Sequence, residues 1–145
     1  MKRISRSAIV EHAAARVYAL VEDIESYPRF LPWCAEATIL EKEKHVKARI
    51  TAAMRGLRQS FTTRNENRAP DSIDMTLVEG PFRSFEAAWR FVPLGAQACR
   101  IEFTMQYEFS SRTLALLLEP LFGRIADTMV DAFARRADEV YGHHG

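Results

Sequence analysis

The sequence has few of the features that mark disulfide-rich, metal-binding or membrane-spanning proteins. It contains only two cysteines, Cys34 and Cys99, and neither lies in a Cys-x-x-Cys or Cys/His pattern. A disulfide framework or a cysteine-ligated metal centre is therefore excluded. The longest aliphatic run, residues 114–118, is far shorter than the ~20 residues that a transmembrane helix needs. We expect both cysteines to be free, buried thiols in a chain without a membrane span.

An excess of charge of one sign is also missing, since 20 basic side chains balance 19 acidic ones for a formal charge of +1. Residues 41–68 are the exception, because they carry eight basic and three acidic side chains. No internal repeat or flexible linker interrupts the chain, so residues 1–145 are expected to form a single domain, without a DNA partner. Glu11 and His12 interrupt the apolar stretch that a secretory leader would need, and the protein is expected in the cytoplasm.

Motifs of the common enzyme classes are absent as well. The chain has no phosphate-binding glycine-rich loop, no His-Glu-x-x-His motif and no Gly-x-Ser-x-Gly nucleophile turn. His12 and His45 are isolated, and His143 and His144 are expected to form a frayed tail rather than a metal site. These absences favour a protein that is not an enzyme and that uses neither a metal nor a cofactor.

The sequence does show strong alternation of polar and apolar residues. Residues 100–109 alternate without exception, as in a strand with one wet and one buried face. Less regular alternation predicts six more strands, and proline- or glycine-containing turns between them, including 93–95, favour antiparallel hairpins. The seven predicted strands are 4–10, 37–41, 46–54, 57–65, 73–78, 85–91 and 100–109.

Two further stretches have helical periodicity. Residues 13–22 form a short helix after the first strand, and residues 113–141 repeat apolar side chains every three or four positions. Pro120 is expected to kink or restart the second helix. A long amphipathic helix that follows an antiparallel sheet finds its place against the concave face of that sheet. The predicted class is α+β, with a curved sheet of about seven strands wrapped around the C-terminal helix.

The inward positions of the predicted strands form an apolar interior. They include Trp89 and Phe91 on the sixth strand and Met105 and Tyr107 on the seventh, with no Asp, Glu, Lys, Arg or His among them. General acid or base catalysis needs a titratable group, so this interior suits a container for an apolar ligand better than an active site. We expect a cavity of ~300–1,000 Å³.

Two turns combine proline with large apolar side chains. Pro28 and Pro32 keep residues 23–34 from forming a long helix and would hold the apolar side chains there on a stiff ledge. Gly80-Pro81-Phe82 would project an aromatic ring from a hairpin tip. These turns either plug one end of the sheet or form a gate for a ligand or a membrane. The side chains concerned are Tyr27, Phe30, Leu31, Trp33 and Phe82.

The outward face of the third and fourth predicted strands is basic. It would carry Lys47, Arg49, Arg55, Arg58 and Arg64. Such a face is either solvated and paired with acidic neighbours or, if unpaired, a docking surface for anionic phospholipids or for RNA phosphates. The pattern is compatible with both partners.

The order strand, helix, six strands and long C-terminal helix resembles the START-like helix-grip superfamily of polyketide cyclases, dehydrases and lipid transport proteins. Within it, residues 21–34, with Tyr27-Pro28-Arg29-Phe30-Leu31-Pro32-Trp33-Cys34, resemble the coenzyme Q-binding START-domain proteins and their bacterial relatives, the ribosome-association toxins. Further similar segments are Gln59-Ser60-Phe61-Thr62-Thr63, Gly80-Pro81-Phe82, Trp89-Arg90-Phe91, Asp131-Ala132-Phe133 and Arg135-Arg136-Ala137.

The resemblance implies a non-catalytic protein that binds ubiquinone, as a ligand rather than a cofactor, and supports respiration. In the bacterial relatives it also implies a factor that binds ribosomal subunits and blocks their joining. The apolar interior favours the quinone, because each buried methylene of an isoprenoid tail contributes ~0.8 kcal/mol. An aromatic polyketide cyclase, the third alternative, needs a polar residue in the cavity, for which Tyr107 and Gln59 are the candidates.

The expected ligand site lies between the sheet and the long helix and opens at an aromatic gate. Leu31, Trp33 and Phe82 would touch the inner membrane surface transiently, assisted by the basic face. The predicted cavity and gate residues are Tyr27, Phe30, Leu31, Trp33, Phe61, Phe82, Trp89, Phe91, Met105, Leu117 and Leu121, and the predicted docking residues are Lys47, Arg49, Arg58 and Arg64.

Overall fold

Within residues 1–142, seven β-strands form one antiparallel sheet, and a 30-residue helix follows them in the chain. The strands are β1 (Lys2–Val10), β2 (Cys34–Lys42), β3 (Val46–Met54), β4 (Leu57–Arg68), β5 (Ser72–Glu79), β6 (Phe82–Gly95) and β7 (Ala98–Phe109), and the helices are α1 (Ala14–Glu22), a 3-10 helix (Ile24–Arg29) and α2 (Arg112–Tyr141). The computed structural model describes residues 1–142, so the tail of His143 and His144 lies outside the described residues.

The strand order in the sheet is β1-β7-β6-β5-β4-β3-β2, so neighbours in sequence pair from β2 to β7 and β1 completes the sheet beside β7. The predicted α+β helix-grip architecture is thereby confirmed. The β3–β4 hairpin closes through Arg55 and Gly56, whose φ angles are 50° and 82°. A two-residue turn with positive φ at both positions matches the right-handed twist of the flanking strands, and glycine adopts that conformation without strain.

The turn predicted at 93–95 is wrong, because β6 continues through these residues. Pro93 pairs with Cys99 and Gly95 with Ala98, which moves the chain reversal to the residues that follow Gly95. The β5 ladder ends at Arg90, so within residues 1–142 this part of β6 has β7 as its only neighbour in the sheet. Proline is tolerated in a strand where one side has no hydrogen-bonding partner.

Helix α2 lies across the concave face of the sheet. Its N-cap is Ser111, whose hydroxyl accepts a hydrogen bond from the amide of Leu114 at 3.1 Å. The predicted restart at Pro120 is not found, since the helix is continuous from Arg112 to Tyr141. Near its C-terminal end, buried His12 forms a 2.8 Å contact with Asp138, so His12 is not isolated as its sequence position indicated.

The proline-rich segment after α1 is a plug rather than a ledge. Tyr27, Leu31 and Trp33 are buried, with exposures of 6%, 1% and 4%. The Tyr27 hydroxyl donates a hydrogen bond to the carbonyl of Val21, and burial, with smaller contributions from Cys34 and Asp23, raises the pKa of this phenol. The plugging alternative of the sequence analysis therefore describes this end of the sheet.

Candidate functional site

An enclosed apolar cavity of about 50 Å³ lies between the sheet and α2. Five residues predicted for the ligand site do line it: Tyr27, Trp33, Phe61, Trp89 and Met105. The sheet contributes side chains from β3 to β7, and α2 contributes Phe122, Ile125 and Met129. The cavity is thus built where the resemblance placed it.

The predicted volume of ~300–1,000 Å³ is wrong. A cavity needs ~10–15 Å³ of such space to hold one water molecule, so about 50 Å³ admits a few waters and is far too little for a quinone ring. Aromatic packing is the physical reason: the ring centroids of Trp89 and Phe103 are 4.8 Å apart, and Phe61 lies 5.5 Å from Phe122 across the sheet–helix interface. In this conformation α2 packs directly against the sheet, and aromatic side chains fill most of the space between them.

A polar pair on β4 lines the cavity and was missed by the sequence analysis. The hydroxyl of Thr63 donates a 2.7 Å hydrogen bond to the amide oxygen of Asn65, and both residues are 4% exposed. Within residues 1–142 the amide nitrogen of Asn65 has no hydrogen-bond partner. The alternation that points Phe61 inward also points Thr63 and Asn65 inward, so the same period-2 pattern contained the signal.

Several predicted site residues lie outside the cavity wall. Leu31, Phe82, Phe91 and Leu121 are buried in the surrounding core, and Phe30 is half-buried against Phe133, 5.2 Å away. Leu31, Trp33 and Phe82 are too buried to form the membrane-touching lip that we expected. The Phe82 ring does not project from its hairpin, because it packs 5.0 Å from the ring of Phe122 on α2.

The prediction that Leu117 lines the cavity is wrong. This side chain is 55% exposed, whereas its neighbour Leu118 is 2% exposed. Adjacent residues on an α-helix point about 100° apart, and Leu118, together with Leu121 one turn later, occupies the buried face. The apolar run at the start of α2 covers more of the helix circumference than the sheet can bury.

The two polar candidates for cyclase chemistry are also outside the cavity. The Tyr107 hydroxyl donates a 3.1 Å hydrogen bond to Glu119, and burial followed by the charge of Glu119 raises the pKa of the phenol. The side-chain amide of Gln59 donates to the carbonyl of Ser60 at 2.9 Å. Neither group lines the enclosed space, so neither is placed to act on a bound ligand.

The predicted basic face on β3 and β4 is only partly neutralised. Arg58 forms a 2.8 Å salt bridge with Glu36, and Arg64 lies 3.4 Å from the imidazole of His45. Lys47 pairs in register with Arg64, and neither Lys47 nor Arg49 has a salt bridge to a carboxylate in the described part of the chain. The face therefore has both paired and unpaired cations.

A second feature, an open cleft of about 870 Å³, lies between the β3–β4 turn and α2. We call it the arginine cleft, because its lining includes Arg55, Arg58, Arg124 and Arg135. Trp33 lines both this cleft and the enclosed cavity. Sequence analysis missed the cleft because the arginines come from a hairpin and a helix that are distant in the chain.

No helix within residues 1–142 is long and apolar enough to cross a membrane. No group of three or more His, Cys, Asp or Glu side chains in the same range is arranged to hold a metal ion.

A sheet of seven antiparallel strands that grips a long helix, with an apolar cavity between them, defines a START-like helix-grip protein. The chain belongs to the polyketide cyclase / dehydrase and lipid transport family, which matches residues 10–134.

Named relatives support the resemblance seen in residues 21–34. The ribosome association toxin RatA of Vibrio cholerae is 41% identical over 143 residues, covering 98% of this chain and 99% of that protein. The mitochondrial coenzyme Q-binding protein COQ10 of Dictyostelium discoideum is 28% identical over 138 residues, covering 92% of this chain and 67% of that protein. Neither name denotes an enzyme.

Among solved structures, the Zhui aromatase/cyclase from Streptomyces sp. R1128 is similar with a TM-score of 0.84, over 94% of this chain and 93% of that one. The sequence identity is 17%, so this likeness concerns the fold alone.

Proposed function

We propose that the protein binds ubiquinone or a closely similar prenylated quinone between the sheet and α2, without altering it chemically. The observation that carries this proposal is the buried Thr63–Asn65 pair in an otherwise apolar cavity. A quinone matches that combination, because its ring and tail are apolar and its carbonyl oxygens accept hydrogen bonds. The free amide N–H of Asn65 would supply the donor that such an oxygen needs.

The cavity must enlarge before a quinone ring can enter. Met75, Met105 and Met129 line it, and unbranched methionine side chains change rotamer easily and fill irregular spaces. We infer that these side chains yield when the ring enters and that α2 moves outward from the sheet. The isoprenoid tail would leave past Trp33 toward the arginine cleft, because this residue lines both spaces.

A carrier of this kind would work in the cytoplasm and visit the inner membrane, where quinones reside. It would shield the ligand from water during transfer and so support respiration. The name of the Dictyostelium relative, coenzyme Q-binding protein, supports this ligand class.

The proposal is tested by extracting protein purified from membrane-containing cells and searching for a quinone by mass and ultraviolet absorbance. The purified protein is then titrated with a short-tailed ubiquinone, with tryptophan fluorescence as the readout. Asn65→Leu should bind about tenfold more weakly, the effect of one buried hydrogen bond of ~1.4 kcal/mol. Leu117→Ala, on the exposed side of α2, is the control and should bind as the unmodified chain does. A protein that neither retains nor binds quinone contradicts the proposal.

Ribosomal subunit binding is a second candidate, favoured by the name of the relatives at 41% identity and by the unpaired Lys47 and Arg49 on the outer sheet face. In this case the protein should sediment with isolated subunits at low salt, and log K should fall linearly with log salt concentration. Reversing both charges with Lys47→Glu and Arg49→Glu should abolish sedimentation. The control is Arg83→Glu with Arg100→Glu, which makes the same change of charge on β6 and β7. Equal binding by both double variants would rule out this face.

A further inference from the structure

We propose that the arginine cleft binds the phosphate headgroups of anionic phospholipids and that the protein docks on a membrane through this side of α2. This inference rests on the proposed lipid-binding function and extends it to membrane docking. Vesicle binding tests the docking and ubiquinone titration tests the ligand, so failure of one proposal can be distinguished from failure of the other. It replaces the lip of Leu31, Trp33 and Phe82, which the fold buries.

The first argument is charge. Arg55, Arg58, Arg124 and Arg135 line the cleft, and no Asp or Glu of the described residues does. Arg58 is neutralised by Glu36, but the other three arginines have no salt bridge to a carboxylate within residues 1–142. Three uncompensated guanidinium groups around one cleft repel each other and favour a multiply charged anion. The planar fork of guanidinium donors matches the oxygens of a phosphate.

The second argument is the apolar part of the lining. Pro32 and Leu57 contribute carbon surface beside the arginines. An isolated phosphate or a nucleic acid backbone gains little from such a surface, whereas the glycerol and first acyl carbons of a lipid can pack on it. Because Trp33 is shared with the enclosed cavity, a headgroup in the cleft would lie at the point where a quinone tail leaves.

The third argument is a pair of exposed leucines at the beginning of α2. Leu116 and Leu117 are 78% and 55% exposed, the two highest values among the large apolar residues of this helix. Leu116, Pro120 and Arg124 follow each other at four-residue steps, and Pro120 and Arg124 both line the cleft. Helical spacing therefore puts Leu116 on the same side of α2 as these two lining residues, and Leu117 follows it directly. Leucines beside arginines suit the boundary between headgroups and acyl chains, and this favours a membrane over RNA.

The test measures binding to vesicles by flotation. The unmodified protein should bind vesicles of equal parts phosphatidylcholine and phosphatidylglycerol and not vesicles of phosphatidylcholine alone. Arg124→Gln with Arg135→Gln should weaken binding about 30-fold, the factor for two basic contacts at an anionic surface. Leu116→Ser with Leu117→Ser should weaken it as well. The matched control is Arg83→Gln with Arg100→Gln, which removes the same charge from exposed positions outside the cleft and should change binding by less than about threefold.

Three results would overturn the inference. The first is equal vesicle binding by the cleft variant and its control, and the second is no binding to anionic vesicles at all. The third is loss of ribosomal subunit binding by the cleft variant but not by its control, because the cleft would then bind RNA. Titration of the cleft variant with detergent-solubilised ubiquinone separates the two proposals: it should bind normally if the cavity holds the ligand. If the unmodified protein binds anionic vesicles but no quinone, the docking proposal is supported and the quinone proposal is refuted.

Discussion

Leu117 and Leu121 differ by one turn of α2, and the structure gives them opposite environments. Leu121 is 0% exposed, whereas Leu117 is 55% exposed. At the scale of single residues, the energetic importance of an apolar side chain therefore depends on whether the rest of the fold covers it rather than on its type.

Truncation of these two leucines should give very different results. Leu121→Ala is expected to lower the free energy of unfolding by about 2–5 kcal/mol, because it removes buried methyl groups and leaves a cavity. Leu117→Ala should change it by less than about 0.5 kcal/mol. Urea denaturation measures both values. Similar losses in the two variants would contradict the assignment of the buried face.

Cys34 should make stability depend on pH above neutrality. Burial raises the pKa of its thiol from 9.0 to about 11. The unfolded chain releases this proton near pH 9 while the folded chain keeps it, so stability is fully present below pH 9 and falls as the pH rises toward about 11. Urea midpoints at a series of pH values should show this decline, and Cys34→Ala should reduce it. Burial also raises the pKa of the Cys99 thiol, so part of the decline should persist in the Cys34→Ala variant. An identical decline in the Cys34→Ala variant would exclude the thiol as a cause.

At the scale of elements, α2 contributes to both candidate sites, since it lines the cavity with one face and the arginine cleft with another. Its beginning is defined by a single side chain, the Ser111 N-cap, and its interior contains Pro120. Substitutions at Ser111 and at Pro120 therefore test how much each residue contributes to the stability of the protein.

Removal of the N-cap should weaken the helix measurably. Ser111→Ala is expected to cost about 0.5–2 kcal/mol, because the amide of Leu114 loses its acceptor. Thr113→Ala, in the same turn and without a side-chain hydrogen bond in the described residues, should cost less than about 0.5 kcal/mol. Thermal or urea denaturation compares the two. If Thr113→Ala cost as much as Ser111→Ala, the capping bond would contribute nothing.

Replacing Pro120 should stabilise the protein. Proline in a helix interior lacks the amide that would bond to the carbonyl of Leu116, and alanine restores that bond, so Pro120→Ala is expected to raise the unfolding free energy by about 1–3 kcal/mol. Pro28→Ala, in the short 3-10 helix, is the comparison and should give no gain, because proline there restricts the unfolded chain at an exposed position. A loss of stability in Pro120→Ala would show that the proline has a packing role in the cleft.

At the scale of the whole molecule, the sheet, α1 and α2 share one hydrophobic core. Trp33 lies in the plug and Trp89 near the middle of β6, with exposures of 4% and 2%. If residues 1–145 fold as one domain, Trp33→Phe and Trp89→Phe should each unfold in a single transition, with the same midpoint by fluorescence of the remaining tryptophan and by circular dichroism. Two midpoints within one variant would mean that the plug unfolds separately from the sheet.

Much of the fold was predictable because it depends on local patterns. The alternation in residues 100–109 and the helical repeat in residues 113–141 required only the sequence, and both elements are present with small changes at their ends. The extension of β6 through Pro93 was not predictable in this way, because it depends on where the neighbouring strand β5 ends.

The candidate site was predictable only in part. Trp89 and Met105 were placed correctly because strand alternation sets the direction of each side chain. Leu117 was not, because helical periodicity leaves the boundary of the buried face open by about one residue on each side.

The amino-acid sequence by itself determined the order of the elements, the antiparallel sheet and the apolar character of its inner face, because each follows from the spacing of side chains along a strand or helix. Only the tertiary structure decided how much space remains inside, since the volume of the cavity depends on how aromatic rings from separate strands pack against α2. It also decided the arginine cleft, because Arg55 and Arg124 approach each other only when the β3–β4 turn meets the helix.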